Sequence, residues 1–173
     1  MRIIPLSDAA EPTLSPDLVW DGVMADLAVG GPDEPGNRGG LRATSALETA
    51  VLICLMTDAR VSADELRDGD VNRGWIGDSF DLDAAAGEAP IGSRLWLLMR
   101  RTVDEVEVPR LAEDYAVAAL QPLIDQNAAA KATAIATADP ARNRLELAVT
   151  LTDRDGSVIV ASRYRVLWEG LGA

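Results

Sequence analysis

The chain has 173 residues, with 16 basic against 28 acidic groups, no histidine and a net charge of −12. Its length and 48% hydrophobic content give one domain with a real core and exclude a disordered chain. Lack of histidine removes the commonest metal ligand and neutral-pH general base, the single Cys54 allows no internal disulfide or cysteine-rich zinc site, and the charge argues against binding nucleic acid.

The first residues reach Asp8 and Glu11 before any long apolar run, so no signal peptide is expected. The longest strongly apolar stretch, Ala50 to Met56, is far short of the roughly 20 residues that span a bilayer. The lone thiol fits synthesis in a reducing cytoplasm. Residues 1–43 read as an N-terminal arm. Within it, Leu18-Val-Trp20 and Met24 to Val29 have strand-like composition around the turn-prone Asp21-Gly22. They form either a small hairpin or extended arms on the main body. Gly30 to Gly40 holds five glycines and two prolines in eleven residues and reads as a loop. It lacks the Gly-Lys-Ser/Thr that would close a phosphate-binding loop.

The main domain is expected over residues 44–173. A first helix is predicted from about Thr44 to Thr57, with Ser45 and Glu48 at capping-box spacing. Its apolar stripe, widened by Leu52, Ile53 and Met56, predicts burial on most sides and makes Cys54 a core residue. Residues 58–92 are irregular and acidic, and a loop of that length inside one domain signals function or a partner. A second helix is predicted over Ser93–Arg101, capped by Ser93. A third is predicted from about Val108 to Gln126, with Pro109 in the tolerated first turn and Pro122 kinking or shortening the end.

From there the period changes to 2. Residues 132–137 predict a weak strand, and Arg144 to Thr152 a strong one that turns Leu145, Leu147, Val149 and Leu151 to one face. Asp153-Arg-Asp-Gly156 supplies turn chemistry. Val158 to Trp168 returns as a strand, placing Val158, Val160, Ser162, Tyr164, Val166 and Trp168 on one face with Arg163 and Arg165 opposite. The expected fold class is therefore α+β: about three helices packed on one face of a small antiparallel C-terminal β-meander, with an irregular N-terminal arm or hairpin.

The acidic residues Asp64, Glu65, Asp68, Asp70, Asp78, Asp81, Asp83 and Glu88 raise the question of a carboxylate-based glycan hydrolase. That chemistry needs one acid raised by an apolar pocket, whereas these lie in a polar, loop-like region suited to a solvated surface. The Asp153/Asp155/Gly156 turn lacks the later ligands of a calcium loop. A Ser-His-Asp triad is impossible, and the one lysine, Lys131, has no supporting motif for a Ser–Lys pair. No catalytic, cofactor or metal residues are assigned. Four of the seven aromatics are tryptophans. Trp96 and Trp168 lie on amphipathic elements and read as core. Trp75, in Arg73-Gly-Trp-Ile-Gly-Asp78, is either a plug on the core or an interface anchor.

Five segments in order carry a resemblance: Leu47 to Arg60, Arg73-Gly-Trp-Ile-Gly-Asp78, Gly92-Ser-Arg-Leu-Trp-Leu-Leu98, Tyr115 to Ile124 and Tyr164-Arg-Val-Leu-Trp168. Their succession over roughly residues 18–169 resembles the phage Mu gene-product-46 family of tail baseplate proteins. Ile76 stands where the family often has a second tryptophan, and Met56 where a phenylalanine is usual. The resemblance implies a structural part of a contractile tail, the counterpart of the small inner wedge protein of T4-like phages from which the sheath begins to polymerise. It further implies wedge, hub and sheath partners, no nucleic acid or membrane partner, copies in multiples of six, and a place in the virion tail baseplate after assembly in the host cytoplasm. Interaction residues expected on that basis are Arg60, Arg73, Trp75 and Asp78 on the loop, with Arg163, Tyr164, Arg165 and Trp168 on the last strand. Arg60 and Arg73 equally suit internal pairs with Asp78 or Asp58. A stand-alone acidic binding module is the further alternative.

Overall fold

The alternation of Arg144–Thr152 sets the architecture, since Leu145, Leu147, Val149 and Leu151 are all buried while the residues between them are not. In this computed structural model, residues 17–20, 24–31, 46–79, 89–99, 101 and 103–165 are described. The elements in chain order are β1 (Leu18–Trp20), β2 (Ala25–Leu27), α1 (Ala46–Met56), α2 (Glu107–Asp125), β3 (Lys131–Asp139), β4 (Arg144–Thr152) and β5 (Val158–Arg165). Strands β3, β4 and β5 form an antiparallel sheet in that order, and β1 pairs with β2 as a separate hairpin. The class is α+β, as expected.

One face of the sheet meets the helices. Leu145, Leu147, Val149, Leu151, Val160 and Tyr164 share a core with Val51, Leu52, Cys54 and Leu55 of α1 and with Val108, Ala112, Ala116, Ala119, Leu120 and Leu123 of α2. Burying a Leu-sized side chain stabilises by about 1.5–3 kcal/mol, so this alternating row is the main energetic reason for the sheet's register. The hairpin docks on α1, where the Leu18 N–H donates to Thr49 Oγ1 at 2.9 Å.

Two α-helices are present among the described residues, not three. The expected helix over Ser93–Arg101 is a single 3-10 turn at Leu95–Leu98. Its expected cap, Ser93, accepts the Leu95 N–H at 3.4 Å, but it donates its hydroxyl to the Leu55 carbonyl at 2.7 Å and pairs its backbone with Asp58, which holds the chain extended just before the turn. The proposed cap Ser45 of α1 lies outside the described residues. Helix α2 begins at Glu107 because Asp104 Oδ1 accepts from the N–H groups of Val106, Glu107 and Val108. It ends three residues after Pro122, with Asn127 closing it in the left-handed region at φ 59°.

The weak strand grows to the nine residues of β3, each paired with β4, so sheet pairing overrides the poor strand propensity of its alanines. Val158 was expected to point inward with Val160 but is exposed. The pairing slips by one residue there, from Leu151 with Val160 to Thr152 with Val158, so a bulge around Ile159 breaks the period-2 pattern.

Candidate functional site

The two most distinctive sequence segments meet at the C-terminal end of α1. Immediately after the helix, Thr57 to Ala59 runs parallel to Ser93: the Ser93 N–H donates to Thr57 O at 2.8 Å and the Ala59 N–H to Ser93 O at 2.9 Å. Gly92 makes this approach possible. It sits at φ +113°, and a Cβ there would stand 2.7 Å from the Thr57 carbonyl oxygen and 2.9 Å from the Ala59 nitrogen. Trp96 then packs into the core at 7% exposure, its Nε1–H donating to Ala59 O at 2.9 Å.

The Arg73–Asp78 loop is clamped onto this base at several points. Asn72 exchanges two hydrogen bonds with the Val61 backbone, at 3.1 and 2.6 Å. Arg73 pairs with Asp58 at 3.0 Å and stacks over Trp96, its guanidinium carbon 5.3 Å from the ring centroid. Gly74 lies against Arg60, where a Cβ would come within 3.0 Å of Arg60 Cβ. Asp78 Oδ1 accepts from the Ile91 N–H at 3.2 Å, while its Oδ2 is buried with no hydrogen-bond partner among the described residues.

Held this way, the loop turns apolar side chains outward. Trp75 is 54% exposed, Ile76 69% and Val71 77%. Gly77 leaves room for the Trp75 indole, onto which any Cβ there would fall. Thus Arg73 and Asp78 brace the loop, Arg60 is exposed beside it, and the indole of Trp75 stands out from the surface. Sequence reasoning missed Asn72 as a clamp; its position just before the Arg-Gly-Trp motif was the available signal.

Beside the loop is a cleft of about 580 Å³ whose lining includes Asp64, Glu65, Arg67, Asp70, Arg73, Trp96, Arg101 and Tyr115. Hydrogen bonds from Ser62 hold both the Asp64 and the Glu65 carboxyl below their usual range, and Arg94 adds to the effect at Glu65, 3.0 Å away. These are stabilised carboxylates, opposite in tendency to the raised acid a glycosidase requires.

The other expected interaction residues lie on β5. Tyr164 is buried, and burial pushes its phenol up. Arg163 is exposed on the outer face, opposite Ala148, and Arg165 pairs in register with Glu146. Trp168 falls outside the described residues. The loop residues and the β5 residues therefore lie on two separate elements of the fold.

The sheet's two edges differ. The Ala136 N–H points away from β4 and donates to Glu113 Oε1 of α2 at 2.9 Å. Antiparallel alternation then makes Ala136–Leu147 a non-hydrogen-bonded pair and turns the Leu147 backbone toward Tyr164. The same alternation leaves the backbone groups of Ala161, Arg163 and Arg165 on the outer edge of β5, where no described strand pairs with them.

No solved structure matches the chain significantly. Over 146 residues the chain is 36% identical to a protein of Escherichia phage Mu described as "Baseplate protein gp46", a match covering 82% of this chain and 89% of that one. The model of the family "Phage protein GP46" matches residues 47–158, which take in α1, both clamped segments, α2 and the sheet as far as the start of β5. The chain belongs to the phage protein GP46 family.

Proposed function

We propose that this protein is a structural subunit of a contractile tail baseplate, in a phage or a phage-derived particle, and not an enzyme. The observation that carries the reading is 36% identity to the Mu baseplate protein over most of both chains. Two structural features supply the means of assembly. The clamped loop presents Trp75 and Ile76 as a preordered apolar knob, which binds without the cost of ordering a mobile segment. The outer edge of β5, unpaired among the described residues, offers main-chain hydrogen bonds to an incoming strand. In this reading the knob, flanked by Arg60, docks on a neighbouring wedge protein, and the β5 edge accepts a strand from a sheath subunit. A tube-proximal hub protein completes the contacts, in a six-fold arrangement built in the host cytoplasm and retained in the virion tail.

The test is complementation of a tail-assembly system lacking this protein. Trp75→Ala should fold normally yet leave tails incomplete by electron microscopy. Peptidoglycan clearing by the wild type, lost when Asp64 and Glu65 are changed to Asn and Gln, would overturn the reading in favour of a hydrolase.

A further inference from the structure

The cleft beside the clamped loop holds about 580 Å³, room for the side chains of an incoming segment and well beyond the size of one small ion. Leu97, Met99 and Tyr115, all half-buried, give it an apolar wall. Opposed to that wall are three arginines, Arg67, Arg73 and Arg101, and three carboxylates, Asp64, Glu65 and Asp70.

These charged groups are not equivalent, because the carboxylates are already engaged. Glu65 accepts from the Ser62 hydroxyl at 2.7 Å and pairs with Arg94 at 3.0 Å. Asp70 Oδ2 accepts from the Arg67 N–H at 2.9 Å. Asp64 is hydrogen-bonded by Ser62 and its own backbone and is exposed, so water solvates its charge. A guanidinium, by contrast, carries five N–H donors in a planar fork. Arg73 gives Nη1 to Asp58 at 3.0 Å and Arg101 gives Nη1 to Glu107 at 2.8 Å. Those two pairs hold the forks in place and leave most of their donors over. Exposed Arg67 adds a third fork. The cleft thus offers hydrogen-bond donors in excess of acceptors, beside an apolar wall.

We infer that this cleft binds a carboxylate-bearing segment of another protein, the acidic group among the three guanidiniums and an adjacent apolar side chain against Leu97, Met99 and Tyr115. The site is distinct from the Trp75 knob and from the β5 edge. A net charge of −12 repels free anions at a distance, so affinity rests on contact hydrogen bonds and on the apolar wall. A lone phosphate uses only the first of these, whereas an acidic segment uses both.

Three short peptides test this on the full chain at physiological salt, where net-charge repulsion is screened: leucine alternating with glutamate, with glutamine or with lysine. The glutamate peptide should bind about ten-fold more tightly than the glutamine peptide and move the amide resonances of Arg67, Leu97 and Met99. Arg67→Glu, at an exposed position that should leave the unfolding midpoint unchanged, should abolish the preference. Asp64→Asn removes a charge that opposes the ligand and should strengthen binding. Equal affinities, preference for the lysine peptide, weaker binding by Asp64→Asn, displacement by inorganic phosphate at equal concentration, or resonance changes confined to Trp75 and Ile76 would each overturn the inference. Tail incorporation is scored separately: a chain that discriminates the peptides but stays out of tails sinks the baseplate role alone, and one that enters tails without discriminating sinks only this inference.

Discussion

Arg73 pairs with Asp58, fifteen residues earlier in the chain, at 3.0 Å and simultaneously covers the Trp96 ring at 5.3 Å. One side chain thereby ties the loop to the end of α1 and to the turn at Leu95–Leu98. Both partners of the ion pair are substantially exposed, at 47% and 36%, so solvent screening keeps its contribution to about 0.2–1 kcal/mol, with a similar amount from the stack. Arg73→Ala should therefore lower urea stability by about 1 kcal/mol, moving the midpoint and leaving the slope unchanged. Arg73→Lys should recover only part of this, lacking the planar fork.

The two loop-region tryptophans should respond in opposite ways. Trp75→Ala removes an exposed ring and should change stability by less than about 0.5–1 kcal/mol. Trp96→Phe keeps most of the buried volume but strands the Ala59 carbonyl, and should cost about 1–3 kcal/mol. Equilibrium unfolding of both variants checks the contrast.

Gly92 and Gly156 both have positive φ, at +113° and +85°, yet their surroundings differ. At Gly156 a Cβ meets open space, and alanine should cost about 1–2 kcal/mol in backbone conformation alone. At Gly92 the same change also drives a methyl into the Thr57 and Ala59 backbone and breaks the pairing with Ser93. Gly92→Ala should lose at least twice as much in thermal unfolding and weaken protection of the Ala59 amide.

Cys54 gives a pH signature. Burial pushes its thiol from 9.0 up to about 11, so the folded state keeps a proton that the unfolded chain releases. The stabilisation is full below about pH 9 and is lost as pH rises through about 11. Unfolding measured between those values should show declining stability, with a shallower decline in Cys54→Ala. A thiol reagent at pH 8 should leave the folded protein unmodified and react on unfolding.

Glu113 is expected to govern exchange at the β3 edge. Glu113→Ala should release the Ala136 amide to solvent, speed its exchange and cost about 1 kcal/mol, while Glu113→Gln should retain most of the protection.

The sheet was legible because each relevant interaction is local in pattern. Four inward residues of β4 alternate without interruption, and all four are buried. The bulge near Ile159 was not legible, since a slipped register leaves no mark on composition. The segment Leu95-Trp-Leu-Leu98 misled for a different reason: its apolar run fits a helix, but Gly92 and Ser93 are committed to a partner 35 residues away in sequence. At the loop, Arg73, Trp75 and Asp78 were recognisable from the motif, and Arg73–Asp58 was one of the pairings weighed for it. The clamps by Asn72 and Asp104, and the edge contact of Glu113, were missed. Of these, Asp104 with Glu107 three residues later had capping spacing, and Asn72 and Glu113 had only a polar side chain among many.

The two edges of the three-stranded sheet are chemically unequal. On the β3 side a carboxylate of α2 already takes the Ala136 N–H, while the outward backbone groups of Ala161, Arg163 and Arg165 on β5 meet no described strand. The α2 carboxylate thus blunts one edge in the way that proteins guard sheet edges against unwanted pairing, and gives the sheet a polarity across its strands.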